Sequence, residues 1–319
     1  TDKVTMFEEK DRAAEKLDVA EACAWRQKKF DAGFGYIFGS EQYGGRDLPA
    51  AYSRVYDSLE AKYEIPNQSC FTIGLGMVAP TIVAHGSDIA RDLYVRKMYR
   101  GDIVGCQLFS EPGAGSDLAN LSTKAERDGD EWIITGQKVW TSGAHYSDIG
   151  EIIARTDFDM PKHKGLTGFI VDMHAPGVEI RPLRQMTGGA SFNEVFFNDV
   201  RVPDSMRLGP VGEGWKVALT TLGFERDHSG DGGGGGSRVG GSWRQIIATA
   251  RAMGVTSDLV MRQELAKAYT HFRVEGFVNR RASDMRRAGQ PAGPEGSLGK
   301  LMWTEGMTYI SDVMSKILG

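Results

Sequence analysis

Residues 105–144 read GCQLFSEPGAGSDLANLSTKAERDGDEWIITGQKVWTSGA, and this stretch decides the fold. Cys106 to Phe109 is an apolar run of strand length. The chain then turns through Ser110-Glu111-Pro112-Gly113-Ala114-Gly115-Ser116-Asp117. Pro112 fixes one φ, and Gly113 and Gly115 are expected to take backbone that most residues could not adopt. Such a turn can aim several N–H groups and the two serine hydroxyls at one anionic ligand. Lys124–Arg127 and Trp132–Thr135 alternate on either side of Asp128-Gly129-Asp130, which predicts a β-hairpin. The stretch closes on Lys138-Val139-Trp140-Thr141-Ser142-Gly143, where a large flat ring lies beside two hydroxyls. By itself, a single tryptophan in a hairpin is expected to fill a core.

The 319 residues suffice for two or three packed layers or domains. A net charge of −4 with 25% charged residues offers no basic field for nucleic acid. No apolar run approaches the length of a bilayer span and no signal peptide opens the chain, so a cytoplasmic protein away from the membrane is expected. Cys23, Cys70 and Cys106 lack CxxC spacing and read as reduced, small buried hydrophobes. The histidines at 85, 145, 163, 174, 228 and 271 form no i, i+4 pair, so no metal site is expected.

Away from the central stretch, Ala13, Leu17, Ala20 and Ala24 recur at helical spacing and predict a helix over 9–30. Further helices are predicted over 50–62, 71–84 and 88–99, with Ser87 or Asp88 as an N-cap. The 71–84 segment is apolar nearly all round, as a buried helix would be. Strand candidates follow at 149–155, 168–172, 177–180 and 194–197. Glu213-Gly214-Trp215 opens a helix running to Glu225-Arg226, and 243–253, 257–288 and 295–319 read as helical. The glycine run 232–236 interrupts this region. The fold class is therefore α+β. An N-terminal α-helical domain (1–103) precedes a middle antiparallel β-domain (104–211) and a C-terminal helical bundle (212–319).

FSEPGAGSD, followed at a set distance by Gln137-Lys138-Val139-Trp140-Thr141-Ser142, resembles the signature of the acyl-CoA dehydrogenase family. The likeness extends from Tyr43-Gly44-Gly45 to the final helices, although the bundle looks incomplete beside the family's. The resemblance implies an FAD cofactor lying against Gln107, Phe109 and Ser110 along one flavin edge. Trp140 would pack on the isoalloxazine face, with Thr141 and Ser142 beside it and Ser142 near flavin N5. Ser116 would contact the pyrophosphate of CoA, Glu225 would be the catalytic base, and Arg226 would hold a charged end of the substrate or steady the base.

The implied reaction turns a fatty or steroid side-chain acyl-CoA into the trans-2-enoyl-CoA and passes electrons to an electron-transfer flavoprotein. Two alternatives share the scaffold: an acyl-CoA oxidase or flavin monooxygenase, and a non-catalytic partner subunit sharing an FAD site. Many relatives carry Arg-x-x-Phe-Gly where this chain reads Asp258-Leu259-Val260-Met261, and that segment reaches across a dimer interface to the ADP half of FAD. Its absence implies that the contact is made differently or that a different, paralogous subunit supplies it, as in a heterotetramer.

Overall fold

The computed structural model describes residues 12–186, 188–230, 243–290, 293 and 295–319. The first turn of the predicted N-terminal helix and the glycine run 232–236 lie outside the described residues. Two compact units divide the chain, the first ending at Phe224 and the second running Glu225–Gly319.

The first unit opens with α1 (Arg12–Asp31), α2 (Ala50–Glu60), α3 (Ala79–His85) and α4 (Asp88–Arg100). Ser87 caps α4, its hydroxyl accepting from the Ala90 N–H at 3.0 Å, and Gly101 ends the helix in the left-handed region at φ 87°. The expected helix over 71–84 forms, unbroken from Ser69 to His85, but it is not uniformly α: it opens with a 3₁₀ turn at Ser69–Phe71 and carries a π-helical turn at Gly74–Val78 ahead of α3. Pro80 supplies the reason. It has no N–H to give to the preceding turn, so the ladder ahead of it widens rather than continuing. Gly74 makes use of the widened turn, because a Cβ there would meet the Gly105 backbone nitrogen at 3.1 Å.

The sheet comprises β1 (Gly105–Leu108), β2 (Lys124–Asp128), β3 (Glu131–Ser142), β4 (Ile149–Arg155), β5 (Leu166–Asp172), β6 (Val178–Leu183), β7 (Phe192–Pro203) and β8 (Arg207–Leu208). Its order is β6-β7-β3-β2-β4-β5-β8, and β1 also pairs with β4. Most neighbours are antiparallel, but β1 and β2 both run parallel to β4, so the sheet is mixed. The β2–β3 hairpin is inserted into the connection between β1 and β4, and that long crossover permits the parallel pairing. Every residue of β4 is buried, as a strand covered on both faces requires.

β7 is much longer than the four residues expected from sequence. The strand runs on through Asn198-Asp199 by way of a bulge against β3. Asp199 sits there at φ 54°, and its carboxylate accepts the Thr135 hydroxyl at 2.7 Å.

From Gly214 the described elements are all helices. α5 (Gly214–Gly230) carries the end of the first unit into the second, where α6 (Trp243–Ala252), α7 (Leu259–Arg287) and α8 (Glu295–Leu318) follow. Ile246, Ala250, Leu265, Ile310, Val313 and Ile317 form the core of that second unit. Among the described residues no helix is long and apolar enough to cross a membrane.

Candidate active site

The turn after β1 and the end of β3 are tied together by a buried ion pair. Lys138 Nζ donates to Glu111 Oε1 at 2.9 Å and to the Phe109 carbonyl at 3.0 Å, with both side chains almost entirely shielded from water. Glu111 also accepts from the Ser122 N–H at 2.7 Å, the Ser122 hydroxyl at 2.8 Å and the Thr123 N–H at 2.9 Å. Val139 N–H donates to the Ser110 carbonyl at 2.8 Å, which locks the two motifs side by side. Arg155 completes the anchoring of the loop, donating to the carbonyls of Ala119 at 2.6 Å and Leu121 at 3.1 Å.

Burial opposes the charge on Glu111, but the Lys138 ammonium and the hydroxyl and amide donors override it and hold the carboxyl down to about 2. Burial likewise pushes Lys138 down to about 8, against the pull of Glu111. These two shifts point opposite ways for the charge state of the pair. We take the pair as ionised at neutral pH, because the carboxylate accepts four hydrogen bonds and the ammonium donates two, one of them to the carboxylate itself.

The turn itself corrects one expectation. Gly113 and Gly115 do not occupy the positive-φ region, so backbone freedom is not what they supply. Nothing lies within 4 Å of where a Cβ would stand at either position. They keep that side of the turn open. Glu111 and Ala114 close the turn with reciprocal backbone bonds of 2.9 and 3.0 Å.

Trp140 does not fill a core. The residue is 59% exposed, with Phe192 edge-on to its ring at 5.9 Å between centroids. Its backbone is left-handed at φ 60°, rare and strained for so bulky a residue. The cause is a β-bulge. Lys138 pairs with Val195 and Thr141 with Asn193, so Val139 and Trp140 together oppose Glu194 alone. Beyond the bulge Thr141 is buried, and its carbonyl accepts from Asn193 Nδ2 at 3.1 Å.

Two buried polar atoms near these motifs lack any partner among the described residues: Thr141 Oγ1 and Gln107 Nε2. Orphans of this kind are costly unless a ligand satisfies them. Gln107, Phe109 and Ser110 thus lie on or just after β1, and Trp140, Thr141 and Ser142 end the strand that the ion pair joins to it. Ser116 lies farther along the turn, exposed, next to the surface pair Asp117–Lys162 at 2.8 Å. An exposed ring, a hydrogen-bonding amide and hydroxyl without partners, and an open glycine turn fit a flat, polar-edged cofactor such as a flavin.

Glu225 and Arg226 belong to the second unit. There Glu225 accepts from the Lys300 ammonium on α8, a partner that sequence reading missed, and both side chains of this pair are part-exposed. Sequence reading also missed Glu111, Lys138 and Glu151. A visible signal existed for Glu151, which interrupts the apolar run Ile149-Gly150-Glu151-Ile152-Ile153.

Replacing Lys138 with Met should destabilise the first unit by ~3–5 kcal/mol in urea unfolding, since Glu111 would keep a buried charge without its counter-ion. Stability linked to Glu111 is fully present above its ordinary value of 4.5 and is lost as the pH falls through about 2. The gap between wild type and Lys138→Met should therefore narrow on acidification. By contrast, Trp140→Gly removes an exposed ring and relieves its backbone, so it should leave melting unchanged or raise stability by about 1 kcal/mol. A loss greater than about 2 kcal/mol would mean that the ring carries packing.

Residues 106–200 match the acyl-CoA dehydrogenase middle domain and residues 212–319 the acyl-CoA dehydrogenase C-terminal domain. The acyl-CoA dehydrogenase FadE34 of Mycobacterium tuberculosis is 44% identical over 82% of this chain, which spans only 35% of that protein's length. The acyl-CoA dehydrogenase IpdE1 of the same organism is 33% identical, over 93% of this chain and 76% of its own. A solved structure titled Tcur3481-Tcur3483 steroid ACAD aligns with a TM-score of 0.78 at 27% identity, covering 97% of this chain and 86% of that one. With both family domains matched in order and a third of the aligned residues shared with IpdE1 over 93% of this chain, the chain belongs to the acyl-CoA dehydrogenase family.

Proposed function

We propose that this chain binds FAD and dehydrogenates a fatty or steroid side-chain acyl-CoA to the trans-2-enoyl-CoA. The observation that carries the reading is Trp140: a large ring held exposed on strained backbone, next to a buried hydroxyl with no partner. Strain of this kind persists where the surrounding structure over-determines it for function. Trp140 would offer its face to the isoalloxazine, while Gln107, Phe109, Ser110, Thr141 and Ser142 would meet the flavin's polar edges. FAD, when bound, supplies a two-electron hydride acceptor that an electron-transfer flavoprotein can reoxidise.

Ser116, exposed beside the open Gly113 and Gly115, suits a contact with the phosphates of CoA. Glu225 is the candidate to accept the α-proton on a carboxylate oxygen, one of which accepts from the Lys300 ammonium. Arg226 would steady that carboxylate or hold a charged end of the substrate. In Glu225→Gln, anaerobic bleaching of bound FAD by acyl-CoA should fall by roughly 10²–10⁴-fold while FAD content stays the same. Undiminished bleaching would place the base elsewhere.

A paralogous subunit is the proposed partner, in a heterotetramer. Asp258 spends its carboxylate on capping α7, accepting from the Met261 N–H at 2.8 Å. Leu259 and Val260 beside it are 76% and 73% exposed, an apolar pair suited to cover by another chain. The solved relative titled with two component names supports the same assembly. Expressed alone, the chain should carry well under one FAD per chain and gain flavin on co-expression with its paralogue. A stable homo-oligomer with one FAD per chain would overturn the partner reading.

A further inference from the structure

Beyond the bulge, the strand end that carries Thr141 and Ser142 is held from a distance. Thr141 is the Cα partner of Asn193 on β7, and Asn193 has no exposed surface. Its Nδ2 donates one hydrogen to the Thr141 carbonyl at 3.1 Å and the other to His145 Nδ1, also at 3.1 Å. Its Oδ1 accepts from an Arg12 guanidinium nitrogen at 3.3 Å. His145 Nε2 lies 2.6 Å from Glu15 Oε2. Arg12 and Glu15 stand three residues apart in the first turn of α1, so one face of that helix meets both the amide and the imidazole.

The donor inventory leaves one arrangement of hydrogens. A carbonyl only accepts and a guanidinium only donates, so Thr141 and Arg12 between them assign which end of the Asn193 amide is the oxygen. With Nδ2 facing it, His145 Nδ1 is the acceptor. The ring hydrogen of the neutral imidazole is then on Nε2, where the Glu15 carboxylate accepts it.

A line of directed bonds therefore runs Glu15–His145–Asn193–Thr141, from α1 to the end of β3. Its links span 130, 48 and 52 positions of sequence, so none follows from local chain geometry. Two observations set it apart from ordinary packing. It anchors the carbonyl of Thr141 but not the hydroxyl, which is buried without a partner among the described residues. It also ends between Trp140 and Ser142, two residues proposed to meet the flavin, and Phe192 next to Asn193 lies edge-on to Trp140.

We infer that His145 is a positioning residue for the cofactor: backed by Glu15, it fixes the Asn193 amide and, through it, the Thr141–Ser142 peptide at the flavin edge. This rests on the proposed function, which puts Ser142 near flavin N5. His145 acts through Asn193 and not by contact with the flavin. Groups that tune a flavin do so only while their geometry is held, and a supporting layer of hydrogen bonds is what holds it. Without the imidazole, one Asn193 hydrogen loses its acceptor, and the amide is free to turn away from the Thr141 carbonyl.

The test compares three variants as flavin-loaded proteins, each with whatever subunit it requires. His145→Phe keeps a ring and loses both nitrogens, His145→Gln keeps an acceptor and a donor, and Glu15→Ala cuts the line at its part-exposed end. His145→Phe should shift the flavin absorption bands and midpoint potential, and lower kcat by about 10–100-fold with KM changed by less than about 3-fold. His145→Gln should restore most of each. Glu15→Ala should shift them the same way by less, and adding it to His145→Phe should cost nothing further, because the two act along one line. A purely structural histidine would lower the melting temperature and leave bands and potential alone. Wild-type bands and kcat in His145→Phe, or a glutamine variant as impaired as the phenylalanine one, overturn the inference. If His145→Phe does not fold, Glu15→Ala decides, and unchanged bands and kcat there overturn it.

Amide hydrogen exchange in the flavin-free protein supplies a readout that needs no cofactor. Exchange across residues 141–144 should rise in His145→Phe and stay near wild type in His145→Gln. No rise in His145→Phe also overturns the inference. Failure of the underlying reading looks different, since then wild type itself takes up no flavin.

Discussion

Everything at the proposed cofactor site hangs on one buried pair of opposite charges. Taking Glu111 and Lys138 out of water costs several kcal/mol per ion unless hydrogen bonds replace the lost solvent. Here the replacements come from backbone: the Phe109 carbonyl for Lys138, and the N–H groups of Ser122 and Thr123 for Glu111. Each such bond fixes a different part of the chain, the end of β1, the far side of the turn and the end of β3. The ion pair thereby ties these three segments to one another. The pair therefore acts as a positional constraint first and a source of stability second, and it is what lets Trp140 persist on backbone that its own side chain disfavours.

Much of this was legible in the residues. The apolar strand 149–155, the Asp128-Gly129-Asp130 hairpin and the Ser87 cap follow from local patterns, and each forms where the pattern places it. What escaped the sequence has a common origin in long-range pairing. Alternation specifies a strand but not its neighbour, so the parallel pairing of β1 with β4 is invisible until the hairpin between them is folded. Asn198-Asp199 carries the composition of a turn and becomes a bulge because β3 continues alongside. Pro80 is visible as a helix breaker, but the π turn ahead of it depends on the close approach of Gly74 to Gly105.

The site divides the same way. FSEPGAGSD and KVWTS identify which segments matter, and the structure joins them. Residue chemistry alone misassigned the glycines, which leave open space rather than supply unusual torsions. It was equally silent on Lys138, whose flanks Val139 and Trp140 suggest only an ordinary strand. Local rules fail at a bulky residue at positive φ and at a carboxyl in an apolar strand, and departures of this kind tend to sit at functional positions.

The bulge at Val139-Trp140 also constrains the gene in a way that residue identity does not. Two residues stand opposite one, and the side chains on either side of that mismatch alternate in the phase it sets. Losing or gaining a single residue between Lys138 and Thr141 would turn every later side chain of β3 onto the opposite face or pull Lys138 out of reach of Glu111. Substitutions here can be absorbed singly. A one-codon insertion or deletion cannot, so the spacing between this lysine and threonine should be held more strictly than the residues that fill it.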